Sequence, residues 1–178
     1  YNPYDKSLNF YSNIDIYIEF IDEVSNSSII TSHITTPFIH VMDNLFINSN
    51  IIRYDMIPDD GSLVIISDEL YLSSLEPLID WKNMRGLLTD VYTVQDIGNT
   101  SELIKNFILD KYISDGVTFI LLVGNTDDVT TFFPDGETPS DPIYGYLDGY
   151  DAYPEVFLGR FSADSILDVD IQVNRVIR

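Results

Sequence analysis

Three short apolar runs, "SLVIIS" (62–67), "LTDVYTV" (88–94) and "VTFILLV" (117–123), most narrow what this chain can become. Each is too short for a buried helix, and their β-branched and aromatic residues suit a pleated strand. Between them apolar residues recur three and four apart, as on one helix face. Leu72, Leu75, Leu78, Ile79 and Trp81 make one stripe, closed by Gly86. Leu103, Ile104, Phe107, Ile108 and Tyr112 make the second, opened by Ser101 and closed by Gly116. Strands that are apolar on both faces and alternate with helices predict a parallel sheet covered on both sides through right-handed crossovers, which is an α/β fold. Ligand sites in such sheets gather beyond the carboxyl ends of the strands, where "LLVGNTDD" places Gly124, Asn125, Asp127 and Asp128. Further on, "YGYLDGYDAYPEVFLGRF" reads as strand, acidic loop, strand. "SADSILDVDIQVNRVIR" reads as a capped helix with Ile166, Leu167, Val169, Ile171, Val173 and Val176 at its apolar positions.

The grammar before residue 61 is different. "NFYSNIDIYIEF" sets Ile14, Ile16, Ile18 and Phe20 against Asp15, Tyr17 and Glu19, the period of a half-buried strand. From Asp22 to Asp60 short apolar clusters sit among Ser, Asn and Thr without a sustained helical period, ending in the turn signal "PDDG". A domain boundary is expected near Gly61. With 178 residues, 45% of them hydrophobic, the chain can build one sizeable core, or one and a part.

A formal charge of -20 with only nine Lys and Arg argues against an electrostatic grip on nucleic acid or an anionic membrane, and makes cations the better partners. The absence of cysteine excludes disulfides, thiolate metal sites and a thiol nucleophile from this chain. No apolar run approaches bilayer length and the first residues carry no signal-peptide pattern, so the chain is expected to be cytosolic or already processed. Ser32, Ser67 and Ser140 lack an identifiable acid and histidine partner, which argues against a serine hydrolase. His33 and His40 fit packing or surface positions, Trp81 with Lys82 and Arg85 fits a helix-to-sheet anchor, and Arg160 fits a structural ion pair with a nearby acid. Asn26 and Asn99 match the N-glycosylation pattern at a level expected by chance.

Asp148, Asp151 and Glu155 crowd one loop whose repulsion needs an answer. Gly149 permits a tight turn, and a carbonyl such as that of Tyr153 would complete an all-oxygen donor set suited to a hard cation such as calcium. Ordinary solvated turn acids explain the same residues, and the spacing is not that of an EF-hand.

Taken together, "PLIDWKNMRGLLTDVYTVQDI", "FILLVGNTDD", "SDPIYGYLDGYDAYPEVFLGRFSADS" and "DIQVNRVIR" resemble the gingipain family of cysteine endopeptidases, in family order across residues 61–178. Asp80 to Leu87 and Gly159 to Ser162 are the specific parts. "YNPYDKSLNFYSNIDIYIEF" (1–20) also resembles the end of the propeptide domain that precedes the catalytic domain in that family, so residues 1–60 are expected to be the C-terminal part of a β-rich propeptide domain and a linker. The resemblance implies a caspase-like α/β half-domain, noncatalytic, followed in the precursor by the half that carries a His-Cys dyad. In the family the cysteine attacks the peptide carbonyl, the histidine moves protons and backbone donors hold the oxyanion. No residue present takes those roles. The resemblance also implies structural calcium at Asp148, Asp151, Tyr153 and Glu155, with Asp148 offering its backbone carbonyl. "GNTDD" is a weaker second candidate, because Asn125 stands where relatives often have an acid.

The implied partners are that catalytic half and a protein or peptide substrate, and the implied location is secreted or at the cell surface. Arg178 raises the expectation of self-cleavage after arginine; a terminus chosen in other ways would look the same. Two other classes fit: a gingipain-related sortase, which transfers to an amine rather than to water, and a calcium-stabilised binding module without catalysis.

Overall fold

The computed structural model of the protein describes residues 35–46, 61–149 and 152–178, together with Lys6, Asn13, Asp15 and Tyr17. The chain divides into two units, 1–31 and 32–178. The alternating stretch from Ile14 to Phe20 apart from Asp15 and Tyr17, most of residues 1–60 read as propeptide and linker, His33 and the acceptor Asn26 lie outside the described residues. The second unit holds the sheet and its helices.

Four parallel strands form one sheet: β1 (Ser62–Ser67), β2 (Leu88–Thr93), β3 (Phe119–Val123) and β4 (Phe157–Phe161), in the order β2-β1-β3-β4. Ser62 lies opposite Leu88, Leu63 opposite Phe119, and Phe119 opposite Phe157. The apolar runs thus become the strands, and β1 is buried along almost its whole length. The crossover helices are α2 (Leu72–Met84) and α4 (Ser101–Asp115), the latter preceded by a short α3 (Val94–Ile97); α5 (Ile166–Val176) follows β4. Thr100 caps α4 by accepting from the Leu103 N–H, and Ser165 caps α5 by accepting from the Asp168 N–H.

Alternation along each strand sends its side chains to two cores. Val64, Ile66, Ile120 and Leu122 pack with Ile104 and Ile108 of α4 and with Tyr144. Leu63, Ile65 and Val123 pack with Leu75 and Leu78 of α2 and Val169 and Val173 of α5. Fully burying each such side chain contributes roughly 1.5 to 3 kcal/mol.

Three sequence expectations are corrected. Helix α1 (Thr36–Leu45) stands where no sustained period was evident. Pro37 presets its first turn, and Phe38, Val41, Met42 and Leu45 follow helical spacing, though none is buried. The stretch before the acidic loop is a 3-10 turn, Asp141–Gly145, not a strand; Pro142 removes a ladder donor there. In α5 only Val169 and Val173 are buried, while Leu167 is 64% exposed.

Candidate functional site

Beyond the carboxyl ends of the strands the connections are tied together by side chains bonding to backbone. Gly124 follows β3 at φ +121°, where an added Cβ would stand 2.7 Å from Asp128 Cβ, so glycine is required to bring the two turns together. Asn125 Oδ1 accepts from the N–H groups of Asp127 (2.8 Å) and Asp128 (3.0 Å), and its Nδ2 donates to Asp164 Oδ1 after β4 (2.9 Å). Asn99, ahead of α4, donates to the carbonyls of Asp127 (3.2 Å) and Asp128 (3.0 Å) and accepts from the Thr130 N–H (2.9 Å). An amide committed to those bonds is a poor glycosylation acceptor. Tyr71, buried before α2, donates to Asp128 Oδ2 (2.8 Å); burial first, then that carboxylate, push its phenol up to about 12.

Arg160 closes the same region from β4. Its Nε and Nη2 meet Asp141 Oδ2 and Oδ1 at 2.7 and 2.8 Å, a bidentate pair. Its Nη1 donates to the carbonyls of Gly124 (3.0 Å), Asn125 (3.1 Å) and Val129 (2.9 Å). Burial raises the Asp141 carboxyl, but the guanidinium outweighs it and holds the group below the usual carboxylate range. The structural role expected of Arg160 is observed, and its partner is Asp141 rather than an acid of the 148–155 loop. Sequence reasoning missed Asn99, Tyr71 and Asp141 as members of this network. The signals available were Asn99 standing just before a helix cap and Asp141 opening a Pro-containing turn.

The acidic loop lies at the other end of the sheet, leading into β4. Glu155 turns back, its Oε2 accepting from the N–H groups of Leu147 (2.7 Å) and Asp148 (3.2 Å), while Asp148 Oδ1 accepts from the Gly149 N–H (2.9 Å). Peptide dipoles therefore offset part of the repulsion that the sequence poses. Tyr153 is 70% exposed, and Asp151 lies outside the described residues. Among the described residues no group of three or more His, Cys, Asp or Glu is placed to hold a metal. His40 is exposed on α1, and among the described residues Ser67 and Ser140 have no histidine partner. Trp81 packs half-buried against the α2 side of the sheet, as expected of an anchor, with Lys82 and Arg85 over its ring at 5.3 and 4.9 Å.

The model of peptidase family C25 matches residues 57–178. The chain belongs to this family. Gingipain R2 of Porphyromonas gingivalis (strain ATCC BAA-308 / W83) is 33% identical across 99% of the chain, which spans 25% of that relative. Gingipain R1 of Porphyromonas gingivalis is 32% identical across 99% of the chain and 18% of its own length. Among solved structures, the complex of Porphyromonas gingivalis RgpB pro- and mature domains matches with a TM-score of 0.63 at 38% identity, covering 66% of this chain and 28% of that one. The Arg specific cysteine proteinase gingipain R matches equally well, at 0.63 and 37%. The parallel-sheet α/β fold of this C25 chain is thus the caspase-like fold of the gingipains, and the chain spans between about a fifth and a quarter of these two curated relatives. A member of a cysteine peptidase family with no cysteine in its 178 residues does not carry the nucleophile in this chain.

Proposed function

We propose that the protein is the noncatalytic first half, with the end of the propeptide, of a secreted, arginine-directed cysteine endopeptidase made as a zymogen. One observation carries this reading: a C25 family match over residues 57–178 in a chain that contains no cysteine. The roles then divide between two halves. The thiol and its histidine come from the downstream half of the precursor, and this half supplies a rigid sheet whose carboxyl-end loops are fixed in place by Arg160, Asn99 and Asn125. Arginine preference is supported by the match to a proteinase described as Arg specific. Secretion rests on the family resemblance; no helix among the described residues is long and apolar enough to cross a membrane.

A structural calcium belongs to the same proposal. Asp148 through its carbonyl, Asp151, Tyr153 and Glu155 would hold it, and the ion would neutralise charge that the turn's own N–H groups offset only in part. Glu155 fits such a role, since among the described residues its bonds to Leu147 and Asp148 both fall on Oε2.

The test assays the full-length precursor and this chain separately on arginyl and lysyl peptides, with and without a chelator, and with an added amine acceptor. Hydrolysis of arginyl peptides by the precursor, and none by this chain alone, is the expected result. Activity from this chain alone would refute the division of labour, and transfer to the amine would reassign the chemistry to a transpeptidase.

A further inference from the structure

Helix α5 carries apolar residues on two opposite sides. Val169 and Val173 point into the sheet and are buried. By helical spacing Leu167 and Ile171, one turn apart, lie on the outer side, 64% and 41% exposed. Asn174 and Arg175, both exposed, continue that outer face, and Asp168 stands at its edge. Among the described residues nothing buries this stripe. Single exposed apolar residues are ordinary on a protein surface, so the stripe acquires meaning only from what flanks it.

The flanking charges say what fits. Asp168 and Arg175 are seven residues, about two helical turns, apart on one flank of the stripe. Among the described residues the ion pairs are Lys111 with Asp115 and Arg160 with Asp141. Arg175 therefore has no acid at ion-pair distance among them, in a chain with 29 acids. The bonds that the Asp168 side chain accepts, from Ser165 Oγ (2.7 Å) and the Asp164 N–H (3.3 Å), both fall on Oδ2. A second α5 laid antiparallel, with Ile171 on Ile171, brings Arg175 of each copy beside Asp168 of the other and sets Leu167 next to Asn174. A parallel copy would instead set Asp168 on Asp168 and Arg175 on Arg175. Flanking charges of this kind fix partner and direction in paired helices. The pattern is self-complementary, as a two-fold interface requires.

We propose that the outer face of α5 is a self-association surface on which two copies of this chain pair antiparallel about Ile171. Leu167 and Ile171 supply the apolar seam, and two Asp168–Arg175 pairs set its direction. The patch is small beside the roughly 800 Å² per partner of a standard interface, so a dissociation constant on the order of 100 μM is expected. The net charge of -20 opposes pairing at low salt, and a Debye length of about 8 Å at 0.15 M confines that repulsion to close neighbours.

The test is sedimentation equilibrium of this chain and of the full-length precursor at that salt concentration, over protein concentrations bracketing the expected constant. A monomer–dimer equilibrium in both is the expected result. Arg175→Glu and Asp168→Lys should each weaken pairing about ten-fold or more, since each turns two attractive contacts repulsive. An equimolar mixture of the two variants should restore it, because every crossing pair is again of opposite sign. Asp168 also helps to cap α5, so Leu167→Gln takes its place if Asp168→Lys folds poorly; it should weaken pairing without rescue by Arg175→Glu. Because the chain contains no cysteine, Ile171→Cys reports on the two-fold axis directly. Oxidation should link two copies through it, whereas Ile113→Cys, exposed on α4 across the sheet, should stay monomeric. A monomer at every concentration, charge variants that pair as well as the parent, folded variants whose mixture does not recover, or equal cross-linking at 113 and 171 overturns the proposal. Pairing by this chain but not by the precursor means that the rest of the precursor covers the stripe, and overturns it as well.

Discussion

Adjacent residues of β4 live in opposite circumstances. Arg160 points to the side where all three of its guanidinium nitrogens find acceptors, at 2.7 to 3.1 Å. Gly159 faces the side where an added methyl group would touch nothing. A strand buried for its own sake would be packed on both faces to similar density. The asymmetry separates a face on which this strand commits its polar groups from a face that the described residues leave open at Gly159, and substitutions on each face should differ accordingly.

The largest effect is expected at Arg160. Its side chain is 11% exposed and that of Asp141 23%, so Arg160→Met strands a carboxylate in a largely dry site and should destabilise the fold by about 3 to 5 kcal/mol in urea unfolding. A loss under about 1 kcal/mol would mean that the pair behaves as a surface bridge. The pH dependence has a fixed sign. Asp141 has a lowered folded pKa, so the pair's contribution is complete above the ordinary Asp value of about 3.9 and drains away as pH falls through the folded value. Stability measured between pH 6 and about 2 should therefore fall less steeply in Asp141→Asn.

The calcium proposal predicts the next largest shift, on the loop entering β4. Calcium at about one hundred times its dissociation constant should stabilise the chain by about 2.7 kcal/mol, and Asp151→Asn with Glu155→Gln should remove the gain. A melting temperature indifferent to millimolar calcium would leave the peptide N–H groups of Leu147 and Asp148 as the whole answer to the loop's repulsion.

How far the sequence could be read depends on the range of the forces involved. The strands and the two crossover helices were legible because burial on a fixed period writes itself into local order: Leu75, Leu78, Ile104 and Ile108 all reach the core. Helix α1 was obscured because its apolar side buries no residue fully, and Ile166 and Leu167 were misplaced because an apolar position does not say whether this half or another body covers it. The carboxyl-end network was mostly illegible, since Asn99 and Asp128, like Asp141 and Arg160, meet only after the chain has crossed the sheet. The acids of "GNTDD" and of the 148–155 loop look alike in sequence, yet parallel strands carry them to opposite ends.

Asn99→Ala should have a smaller effect, about 1 to 2 kcal/mol, because it removes bonds to the carbonyls of Asp127 and Asp128 and to the Thr130 N–H at a partly solvated edge. In a double-mutant cycle with Arg160→Met, coupling of about 0.5 kcal/mol or more is expected, since both side chains grip residues 125–130; strict additivity would place them in separate networks.

The smallest effect is the most discriminating. Gly159→Ala introduces no contact within 4 Å and needs no unusual φ, so it should leave this chain unchanged or stabilise it by about 0.5 kcal/mol through the unfolded state. Glycine is thus a suboptimal choice for the strand as the described residues pack it. Gly61→Ala is the control, because there φ is +83° and the new Cβ would lie 2.4 Å from Thr118 Oγ1, so the loss should be large in this chain itself. If Gly159→Ala proves as damaging as Gly61→Ala in the isolated chain, the open face of β4 is filled from within, and the contrast between its two faces disappears.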